Sequence, residues 1–269
     1  MKLGPYIGKK RFWWGLVGSS LVNLRLFGLS LKSVCGPGLN CHGCPLAGVS
    51  CPIGVMTFSA SVRTFPALAV GTVLTIGALA GRLVCGFLCP FGVLQELLYR
   101  IPTRKFGLPN WTRYIKYAAL LLLVLALPLL LGYETSTEAR LYYCKVCPKG
   151  TLTATLPYWF SGSAGGLFTG GGLAARLAVL VVFLALMVTV SRAFCRTFCP
   201  LGAIYGLVSR FAMTRVVIDN EICTDCGACD KVCPVELDVR REVGSAECIA
   251  CGECIKVCPV TAISRKLGP

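Results

Sequence analysis

The sequence predicts an α-helical membrane domain with four transmembrane helices and an internal duplication, followed by a small cysteine-rich α+β domain. Three observations lead to this fold class: four long apolar stretches, a cysteine motif that occurs twice near the C-terminus, and the composition. The 269 residues are 55% hydrophobic and 14% charged, and their mean hydropathy is +0.70. Soluble domains carry about 25% charged residues. The composition therefore argues against a soluble globular protein and excludes a disordered chain.

The four apolar stretches are long enough for helices that cross a hydrocarbon core of about 30 Å, which takes roughly 20 residues. They cover residues 12–31, 66–84, 117–132 (extended backward through Tyr114) and 173–190. Arg25 interrupts the first stretch. An ionisable residue within a span is a functional-site candidate by default, so Arg25 is a candidate cofactor-binding residue. The alternative is a structural pairing inside the helix bundle.

Basic residues predict how the spans are oriented. The segments 2–11, 100–116 and 192–215 carry 13 lysines and arginines, whereas the opposite loops carry five. Because basic residues accumulate in cytoplasmic loops, both termini are predicted to lie in the cytoplasm, in a multi-pass protein of the cytoplasmic membrane. The net charge of +15 is attributed mostly to this bias, and no nucleic-acid binding is expected.

The polar tail, residues 215–269, contains two copies of the motif Cys-x2-Cys-x2-Cys-x3-Cys-Pro, at 223–234 and 248–259. This spacing is typical of bacterial two-cluster ferredoxins, in which the fourth cysteine of each motif serves the other cluster. Zinc sites seldom repeat it, and disulfides are rare in a reducing cytosol. The tail is therefore predicted to hold two [4Fe–4S] clusters, one on Cys223, Cys226, Cys229 and Cys258 and one on Cys248, Cys251, Cys254 and Cys233.

The membrane domain, residues 1–214, also contains a repeat. The motif Arg-x2-Cys-x3-Cys-Pro-x-Gly occurs at 82–92 and 192–202, and Cys-x2-Cys-Pro precedes each copy at 41–45 and 144–148. The two repeats are placed at about residues 1–100 and 111–214. Cys35 and Cys51 are additional cysteines in the first repeat.

The cysteines of the membrane domain form a predicted inner set and a predicted outer set. Residues 66–85 span about 28 Å as a helix, so the sets are expected near opposite faces unless an outer loop dips inward. The inner set suits a [4Fe–4S] cluster whose charge Arg82 and Arg192 would offset; reduced thiols or a redox-active dithiol pair are the alternatives. Outer cysteines either bind a second cluster, form disulfides or stay free. The inner set is Cys85, Cys89, Cys195 and Cys199, and the outer set is Cys144 and Cys147 with two of Cys35, Cys41, Cys44 and Cys51.

These motifs resemble those of the NapH/MauN family of membrane-bound [4Fe–4S] ferredoxin-type electron-transfer proteins, to which the membrane portion of NosR is related. The resemblance covers the four spans, both Cys-x3-Cys-Pro motifs and the paired ferredoxin motifs. It implies electron transfer, often as a quinol dehydrogenase component that feeds a periplasmic reductase. It extends to the eight tail cysteines and the four inner cysteines, while the six outer cysteines lie outside the pattern.

The expected function is to pass single electrons between a cytoplasmic redox partner and the membrane or its outer face, through up to four [4Fe–4S] clusters. No residues indicate bond-breaking chemistry, so no catalytic residue is assigned. One alternative is a quinol dehydrogenase component that contains only the two tail clusters and uses a quinone. Another is a redox sensor or a protein that assists metalloenzyme maturation. The expected partners are the lipid bilayer and soluble or membrane redox proteins.

Overall fold

The computed structural model describes residues 9–23, 32–138, 142–162 and 171–267. The chain is mostly helical, and its strands pair near the C-terminus. The N-terminal helices are α1 Lys9–Val22, α2 Pro52–Ser61, α3 Ala67–Ala80, α4 Leu83–Phe87, α5 Pro90–Tyr99, α6 Ile115–Ala119, α7 Leu127–Glu138, α8 Tyr143–Val146, α9 Pro148–Gly150, α10 Leu156–Phe160, α11 Gly171–Thr189, α12 Ala193–Thr197 and α13 Pro200–Val208. The tail contains β1 Thr214–Ile218, α14 Ala228–Val232, α15 Val239–Glu242, α16 Glu253–Val257 and β2 Ile263–Leu267.

Two helical segments are long and apolar enough to cross a membrane, Asn110–Gly132 and Gly172–Thr189. The first joins a 3₁₀ turn, α6, a π-helical stretch at Leu120–Ala126 and the start of α7. Both correspond to predicted spans.

The other two predicted spans are shorter in the described residues. Helix α3 is apolar but has only 14 residues, because Gly81, with φ of 55°, ends the helix before the predicted limit at residue 84. Helix α1 covers the first part of the span predicted at 12–31. The rest of that stretch, including Arg25, lies outside the described residues.

The order of elements repeats along the chain. In the first half, α3 is followed by the short helix α4, by Cys89 as N-cap and by α5, which begins with Pro90. In the second half, α11 is followed by α12, by Cys199 as N-cap and by α13. Helix α3 packs against α13, and α11 packs against α5. Each half therefore packs its long helix against the last helix of the other half.

Cysteines belong to the hydrophobic core between the two halves. Cys89, Cys195 and Cys199 are buried there together with Phe194 and Tyr205. Edge-to-face contacts join the aromatic rings of this core, and the Phe91 and Phe194 centroids are 5.1 Å apart. The core thus holds the inner cysteines in a well-packed, water-poor environment.

The tail is a compact α+β unit with its own internal repeat. Strands β1 and β2 pair antiparallel, with Thr214 opposite Leu267. Left-handed backbone conformations occur at positions 225, 227 and 236 and again at 250, 252 and 261. Gly227 and Gly252 occupy the middle position of each series, where φ is 63° and 77°, a conformation that glycine adopts without a steric penalty. These turns shape the two cysteine loops.

Candidate metal centres

The eight tail cysteines lie in two groups. The groups are those that the spacing predicts: Cys258 joins the cysteines of the first motif and Cys233 those of the second. That they ligate clusters stays a prediction. One cavity, of about 240 Å³, is lined by Cys223, Cys226, Cys229 and Cys258, and a narrower one is lined by Cys233, Cys248, Cys251 and Cys254.

The two tail groups differ in exposure. Cys226, in the first group, is exposed. In the second group, burial raises the pKa of Cys254 to about 12 and that of Cys233 to about 11. Such thiols stay protonated at neutral pH until a metal replaces the proton. The backbone N–H of Ala250 donates to the Cys248 sulfur at 3.4 Å, the kind of contact that tunes Fe–S potentials.

The inner cysteines come together from the two halves of the chain. The Cys199 thiol lies close enough to Cys195, Cys85 and Cys89 for their charges to raise its pKa, although burial is the largest cause of that shift. Helices α5 and α13 each start directly after one of these cysteines, with proline in the first turn. The duplicated motif thus delivers two cysteines from each half to one buried place.

Hydrogen-bond donors reach the inner sulfurs. The backbone N–H of Gly202 donates to Cys199 Sγ at 3.3 Å. Gln95 Nε2 donates to Cys195 Sγ at 3.0 Å, while Gln95 Oε1 accepts from the Phe194 N–H at 3.1 Å. Gln95 is fully buried. These donors favour ionised sulfur, as a metal ligand requires.

Arg82 and Arg192 cross between the halves. A Cβ built at Gly202 would lie 3.4 Å from Arg82 Nη2, and one built at Gly92 would lie 3.5 Å from Arg192 Nη2. Arg192 also donates to the Cys85 carbonyl at 3.0 Å. Each guanidinium therefore contacts the cysteine loop of the other repeat, and the glycines leave room for that approach.

Two buried carboxylates hold these arginines. Glu96 pairs with Arg192 at 2.6 Å and also with Arg11. Glu247, in the tail, pairs with Arg82 at 3.2 Å and bonds Lys116 Nζ at 2.6 Å. Burial raises the pKa of Glu247, but the charges and hydrogen bonds of Arg82 and Lys116 outweigh burial and hold that pKa below its usual value. Glu247 is therefore ionised at neutral pH.

The tail docks on residues 1–214 with its second cysteine group beside the inner set. A Cβ at Gly86, next to Cys85, would lie 3.0 Å from the Ile249 carbonyl and 3.9 Å from Cys251 Cβ. Ser191 Oγ donates to the Pro234 carbonyl at 2.5 Å. Besides Glu247, three tail glutamates pair with basic residues that precede the tail: Glu236 with Arg196 at 2.7 Å, Glu242 with Arg113 at 2.8 Å and Glu253 with Arg11 at 3.7 Å.

Four outer cysteines line one cavity of about 520 Å³. Burial raises the pKa of Cys51 to about 11 and that of Cys147 to about 12, while backbone N–H groups lower both values. Cys41 and Cys144 are close enough for the charges of these thiols to affect one another. The four cysteines are Cys41 and Cys51 from the first half and Cys144 and Cys147 from the second.

Cys35 and Cys44 take different places. Both are buried but neither lines this cavity. Cys35 forms an isolated β-bridge with Ser50, and the Cys44 N–H donates to the Cys41 carbonyl at 3.0 Å. All 18 cysteines fall within the described residues, and none forms a disulfide.

The loop that carries the outer cysteines of the first repeat reaches the inner cysteine motif. A Cβ at Gly38 would lie 3.6 Å from Cys89 Cα, and Tyr205 Oη donates to the Pro37 carbonyl at 2.8 Å. Lys149 Nζ lies 5.8 Å from the Phe91 ring centroid. The separation by the length of helix 66–85 is expected unless an outer loop dips inward, and the contacts of residues 37 and 38 correspond to that exception.

The donor sets fit [4Fe–4S] clusters. Among the described residues, no three Cys, His, Asp or Glu side chains converge as the ligands of one metal ion do. In a cubane each thiolate binds a different iron, so its sulfurs stay spread apart. Buried thiols, N–H donors to sulfur and adjacent guanidinium groups suit a cluster of net negative charge. Arg82 Nε is buried without a hydrogen-bond partner among the described residues, beside the inner thiols.

Several site residues are absent from the sequence-based prediction. Gln95, Glu96 and Glu247 carry no motif, and only the fold reveals their roles. The sequence does contain a signal for Lys149 and for the equivalent positions of Cys51 and Cys147. The motif Cys-Pro-x-Gly occurs four times, at 51–54, 89–92, 147–150 and 199–202. The Cys-x2-Cys-Pro motif at 41–45 instead favours Cys44, which does not line the cavity.

The model of a 4Fe-4S binding domain matches residues 62–109 and again 173–216, and that of a 4Fe-4S dicluster domain matches residues 215–259. An uncharacterized protein of Methanocaldococcus jannaschii is 35% identical over 67% of this chain and 69% of its own length. The methylamine utilization ferredoxin-type protein MauN of Paracoccus denitrificans is 34% identical over 57% of this chain and 48% of its own length.

The ferredoxin-type protein NapH of Haemophilus influenzae is 29% identical over 60% of this chain and 50% of its own length. The match thus spans about half the length of the MauN and NapH relatives. No solved structure matches the chain. The resemblance drawn from the cysteine motifs is confirmed, and the repeated family match covers both inner cysteine pairs.

Proposed function

This chain belongs to the family of ferredoxin-type electron-transport proteins that includes MauN and NapH, and we propose that it passes single electrons between a cytoplasmic redox partner and the membrane or its outer face. The observation that carries the proposal is the contact between the tail and the inner cysteines. Gly86 follows Cys85 directly, and a Cβ built on Gly86 would lie 3.0 Å from the Ile249 carbonyl oxygen. Two cysteine groups on different domains are thereby held against each other.

The residues that would hold the cofactors are the two tail groups and the inner set. A bound [4Fe–4S] cluster takes up and releases one electron at a time, at a potential set by its surroundings. The chain supplies those surroundings: Gln95 and Gly202 donate to inner sulfurs, and Arg82 and Arg192 bring positive charge. Exposed Cys226 marks the tail group that a soluble partner meets first.

A membrane location is part of the proposal. Large apolar side chains are exposed along the helical segments, among them Leu121, Leu130 and Val181. Soluble monomers seldom expose large apolar patches, so this number of exposed apolar side chains favours a lipid environment. Because the tail docks on Arg11, Arg113 and Arg196, it lies on the side of the basic flanks. This supports four spans, including residues 12–31 and 66–84, with both termini in the cytoplasm.

Iron and acid-labile sulfide per chain, measured on anaerobically purified full-length protein, test the inner site. The double variant Cys85→Ser, Cys195→Ser is expected to lose about four irons, the content of one cluster, and to stop electron transfer to the membrane. The matched control Cys35→Ser, Cys44→Ser changes two buried cysteines outside the sets and is expected to keep its iron. Unchanged iron in the inner variant would contradict the inner cluster.

A second candidate is a quinol dehydrogenase component that uses only the tail clusters. It is favoured by the 520 Å³ cavity, whose size and apolar lining suit a small organic ligand. In liposomes, reduction of the tail clusters that requires added quinol would support this candidate. Equal reduction with and without quinol would argue for direct transfer through the chain.

A further inference from the structure

The 520 Å³ cavity lined by four outer cysteines repeats the turns, N–H donors and positive charges that surround the inner cysteines. Its four thiols lie outside the family-model matches at 62–109, 173–216 and 215–259. We propose that Cys41, Cys51, Cys144 and Cys147 bind a further [4Fe–4S] cluster. This inference rests on the proposed electron-transfer function and extends it to a fourth site, in the same hydrophobic core as the inner set.

The outer and inner cysteines share one kind of turn. Cys51 and Cys147 each precede a helix that starts with proline, as Cys89 and Cys199 do at the inner site. In all four turns a glycine follows the proline by two residues. Gly202 donates its N–H to Cys199, and the N–H groups of Gly54 and Gly150 act on Cys51 and Cys147 in the same way.

Glycines leave room around the outer sulfurs. A Cβ at Gly54 would lie 3.7 Å from Cys144 Sγ, and a Cβ at Gly150 would lie 3.6 Å from Cys41 Sγ and 3.2 Å from the Cys144 carbonyl. Each glycine thus belongs to the loop of one cysteine and is in contact with a cysteine that does not belong to that turn. Because a Cβ alone would already touch a sulfur, side chains longer than alanine at these positions would crowd the sulfurs of Cys41 and Cys144.

Positive charge lies beside the outer thiols. The buried amine of Lys149 lines the cavity, and its charge reaches Cys41. The Arg176 guanidinium acts on Cys41 and Cys144 and donates to Thr155 Oγ1 at 3.1 Å. Two cations beside four thiols parallel Arg82 and Arg192 at the inner site. An aromatic quinone ring would not need this charge or these N–H donors.

The test is elemental analysis of the full-length protein, purified without oxygen in detergent. The variant Cys41→Ser, Cys144→Ser is expected to lose about four irons and four sulfides relative to the unchanged chain, which holds about sixteen of each. Cys35→Ser, Cys44→Ser is the matched control and keeps them. A variant that retains every cysteine, Lys149→Met, is expected to keep its iron and to lower the reduction potential of one cluster, because a nearby positive charge favours the reduced form.

The outcomes separate this site from the proposed function. Unchanged iron in the outer variant, with iron loss in the inner variant, overturns the outer cluster and leaves electron transfer through three clusters. Zinc in place of iron, or a disulfide between outer cysteines found by alkylation and mass spectrometry, also overturns it. If Cys226→Ser and Cys251→Ser do not alter iron either, the proposed function itself fails.

Discussion

At the scale of single residues, the environment of the inner sulfurs depends on a few uncharged donors. Gln95 is the most informative, because it ties Cys195 to helix α5 of the other half through its amide group. Its oxygen also accepts from the Phe194 backbone. Loss of this side chain would therefore alter both the sulfur and the start of α12 without removing a ligand.

The substitution Gln95→Leu is expected to lower the reduction potential of one cluster, because an N–H donor to sulfur stabilises the more negative reduced state. It should also lower the free energy of unfolding by about 1–3 kcal/mol, since the Phe194 N–H would stay buried without an acceptor. Redox titration followed by electron paramagnetic resonance measures the first effect. The tail clusters are the internal control, and a shift in all clusters together would contradict a local role.

At the scale of elements, the cysteine spacing predicts the tail groups because short loops fix which thiols can meet. Each inner pair follows from its motif for the same reason, whereas the two pairs meet because α3 packs against α13 and α11 against α5. Cys51, in contrast, is separated from Cys41 by nine residues whose path depends on tertiary packing. Local hydropathy does not predict that helix α3 ends at Ala80 instead of residue 84. An apolar stretch shows neither the positive φ of Gly81 nor the burial of Arg82.

Some of the basic residues that predict the orientation of the spans also take part in docking the tail. In the structure, tail glutamates pair with four of these basic residues, Arg11, Arg113, Lys116 and Arg196. Both roles are compatible, because a tail on the cytoplasmic side meets the basic flanks there. Sequence alone cannot distinguish a residue that orients a span from one that binds a domain.

Glu247→Gln is expected to weaken tail docking by about 3–5 kcal/mol, because it leaves Arg82 and Lys116 buried without a negative partner. Hydrogen exchange of residues 245–251 measures the change. Glu242→Gln is the matched control: the side chains of the Arg113–Glu242 pair are 23% and 31% exposed, so its loss should cost about 0–1 kcal/mol. Equal exchange in the two variants would argue against a special role for Glu247.

The same pair gives a pH dependence. Because the pKa of Glu247 is lowered in the folded protein, its contribution is fully present above the ordinary glutamate pKa of about 4.3. The contribution disappears only as the pH falls through the lowered value. Protection of residues 245–251 should therefore be constant near neutrality, and a loss of protection on mild acidification would show that another group controls docking.

At the scale of the whole molecule, the proposed topology places the two termini on one side and the segment near residue 162 on the other. A reporter that is active only in the cytoplasm should work when it is fused to the C-terminus and fail when it is inserted after Gly162. Activity at both positions would contradict the four-span arrangement. Carbonate extraction that leaves the protein in the membrane fraction provides the control for insertion.

The unequal exposure of the cysteine groups has a consequence for survival in air. Solvent access lets water-borne oxidants reach a cluster and lets released iron leave, and the group that contains Cys226 opens to water, while the inner thiols are packed among aromatic rings. Oxidative damage should therefore begin at the group that contains Cys226 and reach the inner set later, so that brief aeration removes about four irons before the rest. The most vulnerable centre is then also the one within easiest reach of a repair system.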